Sequence, residues 1–507
     1  MKIAVDVLSI RPDGSAGGAT GFAVELIKGF AQSEGNKVYV LCAEWNREYL
    51  KKILPSNVVF LQIGGQRKIT NIQLLDRLIF RLFHYNRRMH KLRNEGIDIL
   101  YCPFSAVSNK ETGIPVVSTI LDIQHEYYPQ FFDSAELEHR RKFYREIVKK
   151  AETVTCISDY TKRTFCEKYG YPEERAHTIY IAIQNRFEQE DTRILTKLDL
   201  NNREYIVYPA NFWEHKNHKL LLTAFARYAL ENSNAFLVLT GNPLEKETYY
   251  KDLIKGLKIE EKVDITGYVT TEELFSILKN AKGLIFPSLF EGFGIPVVEA
   301  MQQHLLIACS NATSLPEIGC NSIFYFDPRK PDEIVNGIRY LYENEITDSI
   351  IADYEEKLKA YRSDVMVKEY LTLFEKVVSD KDLLLVEEYC SGIFDDGWAG
   401  EQIEMQMVNR RGYKVHLMME LPAFVRESIP IRLEHNRRTR EFILEPGKHI
   451  DLVEEVADDK EIFCLRFKKC WLPSELLHSD DTRRLSVMVK CIELMDKNGS
   501  IIPMERN

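Results

Sequence analysis

The stretch FPSLFEGFGIPVVEAM, Phe286–Met301, decides how this chain is read. An apolar run ends at Pro287, a loop carries Glu291-Gly292-Phe293-Gly294, and a helix is expected from about Ile295-Pro296. Proline suits a first helical turn, where its missing N–H would have no partner anyway. Two glycines let the backbone approach a ligand closely, and a helix start offers N–H groups and partial positive charge. That turn suits a phosphate or a dense set of sugar hydroxyls. Glu291 would sit in the loop and Glu299 in the first turns of the helix. Carboxylates so placed can each accept a pair of hydroxyl hydrogen bonds from one nucleotide sugar. The plainer reading is a glycine-containing turn with two solvated glutamates, because short glycine motifs recur without function.

Outward from this turn, short apolar runs alternate with helical patterns. Toward the N-terminus the runs are 3–10, 38–42, 58–63, 97–101, 116–121 and 154–157. Amphipathic stretches such as 20–32 and 72–93 lie between them, the rhythm of βαβ units around a parallel sheet. A polar stretch at 185–203 reads as a linker. The rhythm then restarts with runs at 205–209, 236–240, 263–266, 284–287, 306–309 and 323–326, and a charged helical segment at about 348–379 closes it. Beyond Leu383 alternating runs at 413–419, 431–434, 462–467 and 485–491 take over, separated by turns such as 445–447 and 497–499. The expected fold is α/β, with Rossmann-like domains over 1–184 and 185–380 and an antiparallel β-sandwich over 381–507.

The bulk numbers agree with a multidomain globular chain: 507 residues, 45% hydrophobic and 28% charged. A net charge of −9 gives no global attraction to nucleic acid. The 10 cysteines form neither a CxxC pair nor a zinc-spaced cluster, so reduced thiols in a cytoplasmic protein are expected. The N-terminus enters an apolar strand without the features of a signal peptide, and no stretch of eighteen apolar residues occurs.

Glu291 through Glu299 resembles the E-x7-E motif of the retaining family-4 glycosyltransferases, which adopt the GT-B fold of two Rossmann-like domains. Four further segments resemble that family in the right order. They are Thr119–Pro129 (TILDIQHEYYP), Cys156–Lys162 (CISDYTK), Tyr208–His218 (YPANFWEHKNH) and Ala312–Ile318 (ATSLPEI). The likeness covers roughly the first 380 residues, and Tyr208–His218 is closest to mannosyltransferase-like members.

The resemblance implies roles. Glu299 would bind the ribose hydroxyls of the donor and Glu291 the hydroxyls of the transferred sugar, with Gly292, Phe293, Gly294 and Ile295 holding sugar and phosphate through their backbone. Lys216 would neutralise the donor diphosphate as charge moves onto the leaving group. The loop 14–21, with Gly17 and Gly18 at its centre, would face the diphosphate or the acceptor, or serve only as a flexible turn. Two positions depart from the family. The phosphate-binding arginine is replaced by Asn211, which leaves Lys216 to be helped by His215, His218 or a residue elsewhere. The histidine of the usual HD pair is Leu121, beside Asp122. His125 is the nearest substitute, with a backbone-bonded loop histidine as the alternative. The family needs no bound metal, in keeping with the lack of an Asp-x-Asp turn in the catalytic part.

The implied reaction is transfer of a sugar with retention from a nucleoside-diphosphate donor, GDP-mannose favoured, to a surface-polysaccharide or lipid-linked glycan acceptor. A glycan-binding assembly subunit and a sugar-nucleotide epimerase on the same scaffold are the alternatives. The basic amphipathic stretch 77–93 suits either an anionic membrane surface or a helix packed on its own sheet. Trp398 and Trp471 suit either a sugar-stacking face or the sandwich core.

Overall fold

A computed structural model describes residues 1–11, 18–63, 91–111, 113–183, 187, 189–380, 389–394, 396–408, 410–435, 438–458, 460–477, 481, 483–496 and 501–503. It divides into two units, 1–385 and 386–507.

The first unit holds two parallel sheets. Strands β1 (Lys2–Asp6), β2 (Lys37–Cys42), β3 (Val59–Gln62), β4 (Ile99–Cys102), β5 (Val116–Ile120), β6 (Thr153–Cys156) and β7 (Ala176–Thr178) run in the order β3-β2-β1-β4-β5-β6-β7. Strands β8 (Ile206–Pro209), β9 (Leu237–Thr240), β10 (Val263–Gly267), β11 (Gly283–Phe286), β12 (Leu306–Ser310) and β13 (Phe324–Phe326) run in the order β10-β9-β8-β11-β12-β13. The same doubly wound topology thus occurs twice. The central strands carry unbroken apolar runs because helices cover both faces, and Ile3, Ala4 and Val5 are fully buried. Both sheets reverse their winding beside the first strand, where ligands of such sheets bind at the carboxyl ends.

The stretch 185–203 is less of a linker than its composition suggests. Arg193–Lys197 is a short helix whose Ile194 and Leu195 are buried, as are Phe187 and Leu200. The segment 348–379 is two helices, Asp348–Leu358 and Ser363–Ser379, with a turn at Lys359–Tyr361. The second packs on the first Rossmann domain, against the helix Gly18–Gln32. A Cβ on Gly29 would lie 2.2 Å from Val367 Cγ2, so any larger residue there would force Val367 to shift. Tyr370 sits among Phe22, Phe30, Tyr101 and Phe374, and its hydroxyl joins Thr119 Oγ1 (3.1 Å) and Thr155 Oγ1 (3.0 Å).

The second unit has strands β14 (Tyr389–Ile393), β15 (Ala399–Val408), β16 (Lys414–Glu420), β17 (Ile429–His435), β18 (Arg438–Leu444), β19 (His449–Glu455), β20 (Lys460–Phe467), β21 (Met488–Met495) and β22 (Ile501–Pro503). They form antiparallel sheets β14-β15-β20-β17-β18 and β19-β16-β21-β22. Ile403, Met405 and Leu465 of one sheet share a core with Val415, Leu417 and Ile492 of the other, so the unit is a sandwich. Trp398 and Trp471 are half-buried and meet edge to face at 4.9 Å, with Phe424 at 5.5 Å from Trp471. Trp471 Nε1 donates to Ser486 O, which ties that indole into the fold. The turn 497–499 lies outside the described residues. Among them, no helix is long and apolar enough to cross a membrane.

Candidate active site

The carboxyl ends of the two parallel sheets face one cavity of about 710 Å³. The first domain lines it with Ala19, Gly21 and Phe22 and with Leu121 and Asp122, and the second with Asn211, Lys216 and Gly292–Pro296 among others. Glu291 and Glu299 belong to the same lining. Asp122, Asn211, Lys216, Glu291, Gly292, Phe293, Gly294, Ile295 and Glu299 are thus lining residues, whereas Gly18, His125, His215 and His218 are not. Gly17 lies outside the described residues. Gly18 opens the helix Gly18–Gln32, so the end of the glycine loop is a helical first turn. The stretch 77–90 is likewise outside them, and the helix Lys91–Glu95 is the described remainder of the basic segment.

The EGFG loop owes its shape to glycine and to the segment after β12. Gly294 holds φ at +115° as it caps the helix Ile295–Gln302, and a Cβ there would strike Leu315 at 2.6 Å. Thr313 Oγ1 accepts from Glu291 N (3.0 Å), while Ser314 Oγ donates to the carbonyls of Glu291 and Phe293 (3.0 Å each). The Ala312–Ile318 segment therefore braces the loop, a role its sequence alone does not reveal.

Gly292 brings the two domains together. A Cβ on it would sit 2.0 Å from Leu121 O, and Ser158 Oγ donates to its carbonyl at 2.8 Å. Glu317 accepts from Asp159 N (2.6 Å) and Tyr160 N (3.0 Å), capping a first-domain helix with a second-domain carboxylate. This explains the serine turn that the sequence singles out at 156–162.

Lys216 is the cation among the described lining residues. Its Nζ lies 2.5 Å from Glu291 Oε1, with 16% and 12% of the two side chains exposed. Burial alone would raise the Glu291 carboxyl, but Lys216 and then His215 hold it below the usual range. The Lys216 turn is fastened to the end of β11: Leu289 N donates to His215 O (2.7 Å), and Asn217 Nδ2 donates to Pro287 O (3.1 Å). Asp122 titrates above its ordinary range, chiefly through burial and also through the nearby Glu291 charge.

The two departures resolve differently. Asn211 lines the cavity, but its Oδ1 accepts from Asn242 N at 2.8 Å; it positions a loop and carries no charge. His125 is fully buried, bonded through Nε2 to Tyr169 OH (2.8 Å) and packed on Tyr144, outside the cavity lining. Burial lowers its pKa to about 4. It belongs to the first-domain core, so the expectation that it takes the space of the missing histidine is corrected. His218 is also core: it stacks on Phe212 at 3.9 Å, and burial lowers it to about 3. Trp213 and Tyr268 are cavity-lining aromatics that the sequence reading missed, exposed by 53% and 87%.

Residues 16–184 match the model described as Glycosyltransferase Family 4, and residues 191–359 that of Glycosyl transferases group 1. The chain is 26% identical over 260 residues to O-antigen chain mannosyltransferase B of Escherichia coli, covering 50% of this chain and 68% of that one. It is 23% identical over 294 residues to O-antigen chain mannosyltransferase RfbU of Salmonella typhimurium, covering 57% and 77%. Among solved structures it resembles Anabaena HepE in complex with UDP and glucose (TM-score 0.56, 17% identity, 74% of this chain and all of that one). It also resembles sucrose-phosphate synthase of Thermosynechococcus elongatus (TM-score 0.58, 15% identity, 75% and 99%). At those identities the structures speak for the GT-B fold.

Proposed function

We propose, from the premise that this chain is a glycosyltransferase with a family 4 and a group 1 domain, that it transfers mannose with retention from GDP-mannose to a surface-polysaccharide or lipid-linked glycan acceptor. The carrying observation is the single cavity that collects Lys216, Glu291, Glu299 and the braced EGFG backbone. Mannose is favoured because the E. coli and Salmonella relatives are O-antigen chain mannosyltransferases.

In this reading Glu299, 4% exposed on the helix after the loop, takes the ribose hydroxyls. Glu291, held ionised by Lys216, accepts hydroxyls of the mannose. Donor binding draws the Lys216 ammonium onto the diphosphate, where it offsets the charge that grows as the anomeric C–O bond breaks. The acceptor oxygen forms the new bond on the face the phosphate leaves, and its proton passes to the departing diphosphate. Charge neutralisation thus falls to Lys216 rather than to a metal ion. A lipid-linked acceptor would bring the enzyme to the cytoplasmic membrane face.

Calorimetry of GDP, UDP and dTDP with the full chain, each with and without EDTA, tests the reading. GDP binding that EDTA leaves unchanged, followed by mannosyl transfer to a lipid-linked glycan, is expected. Failure of all three nucleotides to bind would overturn the donor assignment. Preference for UDP or dTDP would move it to another sugar.

A further inference from the structure

The outer face of the sheet β19-β16-β21-β22 carries a mixed cluster far in chemistry from anything sugar transfer requires. Side chains alternate along β16, with Val415, Leu417 and Met419 in the core and His416 facing out. In register, His416 lies opposite Glu493, and Met418 lies opposite both Cys491 and Asp451. His416, Cys491 and Glu493 therefore share one face across two adjacent strands, and each offers a donor atom within 4.8 Å of the others. Between Met418 and Met419 the register shifts, leaving Lys490 as an extra residue next to Cys491. Such a bulge re-aims the neighbouring side chain. Lys490 itself turns away to Glu420 Oε2 at 2.8 Å.

We infer that His416, Cys491 and Glu493 form a zinc site, with Asp451 as the residue that orients the imidazole. The two ring nitrogens of His416 have separate surroundings. Nδ1 faces Glu493 Oε2 at 3.6 Å, and Nε2 lies 3.2 Å from Asp451 Oδ1. Zinc-bound histidines are held in this way, one nitrogen on the metal and the other donating to a carboxylate. A borderline-soft ion at about 2.0–2.3 Å from imidazole, thiolate and carboxylate suits this donor set, and a fourth position remains for water. His416 and Glu493 expose 22% and 32% of their side chains, so the donors are recessed yet reachable. Zinc here would pin β21 to β16, the strand pair that closes the sheet around Ile492 and Leu417.

The test uses the full chain, purified without a histidine tag and stripped with a chelator. It is titrated with zinc by calorimetry and with cobalt(II) by absorbance. Binding of one zinc per chain is expected, and cobalt should give a near-ultraviolet thiolate charge-transfer band. Cys491→Ser should abolish that band, and Cys491→Ser and His416→Ala should each weaken zinc at least ~10-fold. Asp451→Asn should weaken zinc by about 10-fold while leaving the band. Circular dichroism on each variant separates loss of the site from loss of the fold. No zinc binding by the folded wild-type chain would overturn the assignment, as would undiminished binding by folded Cys491→Ser and His416→Ala.

Discussion

Lys216 and Glu299 make the sharpest claims at the scale of single side chains. A charge-assisted hydrogen bond contributes about 1.5–3 kcal/mol, so Lys216→Ala and Glu299→Ala should each weaken nucleoside-diphosphate affinity by ~10- to 100-fold. Calorimetry on folded variants checks this, and unchanged affinity in either would remove its role. Gly292→Ala should suppress turnover while retaining both domains, because its Cβ meets a backbone oxygen that has nowhere to go. Transfer assays and circular dichroism, taken together, read this out. His218 supplies a pH signature. Its pKa falls from 6.5 to about 3 on burial, so the folded chain keeps it neutral while the unfolded chain protonates below 6.5. Its share of stability is present above pH 6.5 and is lost as pH falls toward 3, by about 1.4 kcal/mol per pH unit. His218→Phe preserves the stack on Phe212 and should flatten the acid limb of urea-unfolding stability between pH 7 and 5. An unchanged slope would contradict the assignment. The EGFG turn and its two glutamates were legible because glycine and proline punctuate so strongly. Burial of His125 was not, since a sequence does not tell which neighbours surround a loop side chain.

Among elements, the doubled strand–helix rhythm was readable because fully covered parallel strands leave continuous apolar runs. The break at Lys359–Tyr361 and the destination of Ser363–Ser379 were hidden, because amphipathic spacing shows that a helix has a buried face but not what covers it. That helix crosses Gly18–Gln32 over Gly29. Overpacking of such a contact costs about 1–3 kcal/mol, so Gly29→Ala should lower thermal stability, and Val367→Ala added to it should recover most of the loss. If the double variant melts no higher than Gly29→Ala, the crossing is not the reason for the glycine. The polar stretch 185–203 misled by composition: four buried apolar residues, Phe187, Ile194, Leu195 and Leu200, anchor it to the main core.

At the level of the whole molecule, every described residue lining the cavity belongs to the unit 1–385, and the sandwich has its own core. A chain ending at residue 385 should therefore bind nucleotide within about two-fold of the full chain, as calorimetry can establish. A loss of tenfold or more would show that the sandwich contributes to donor binding. The return of Ser363–Ser379 to the first sheet also sets an order of events at the ribosome. Thr119 and Thr155 emerge long before Tyr370, whose hydroxyl completes their network. The apolar face formed by Phe30 and Tyr101 must wait through the synthesis of the entire second Rossmann domain for its cover. Nascent chains too short to carry residues 363–379 clear of the ribosomal exit tunnel should bind a hydrophobic dye or a chaperone that longer chains no longer hold.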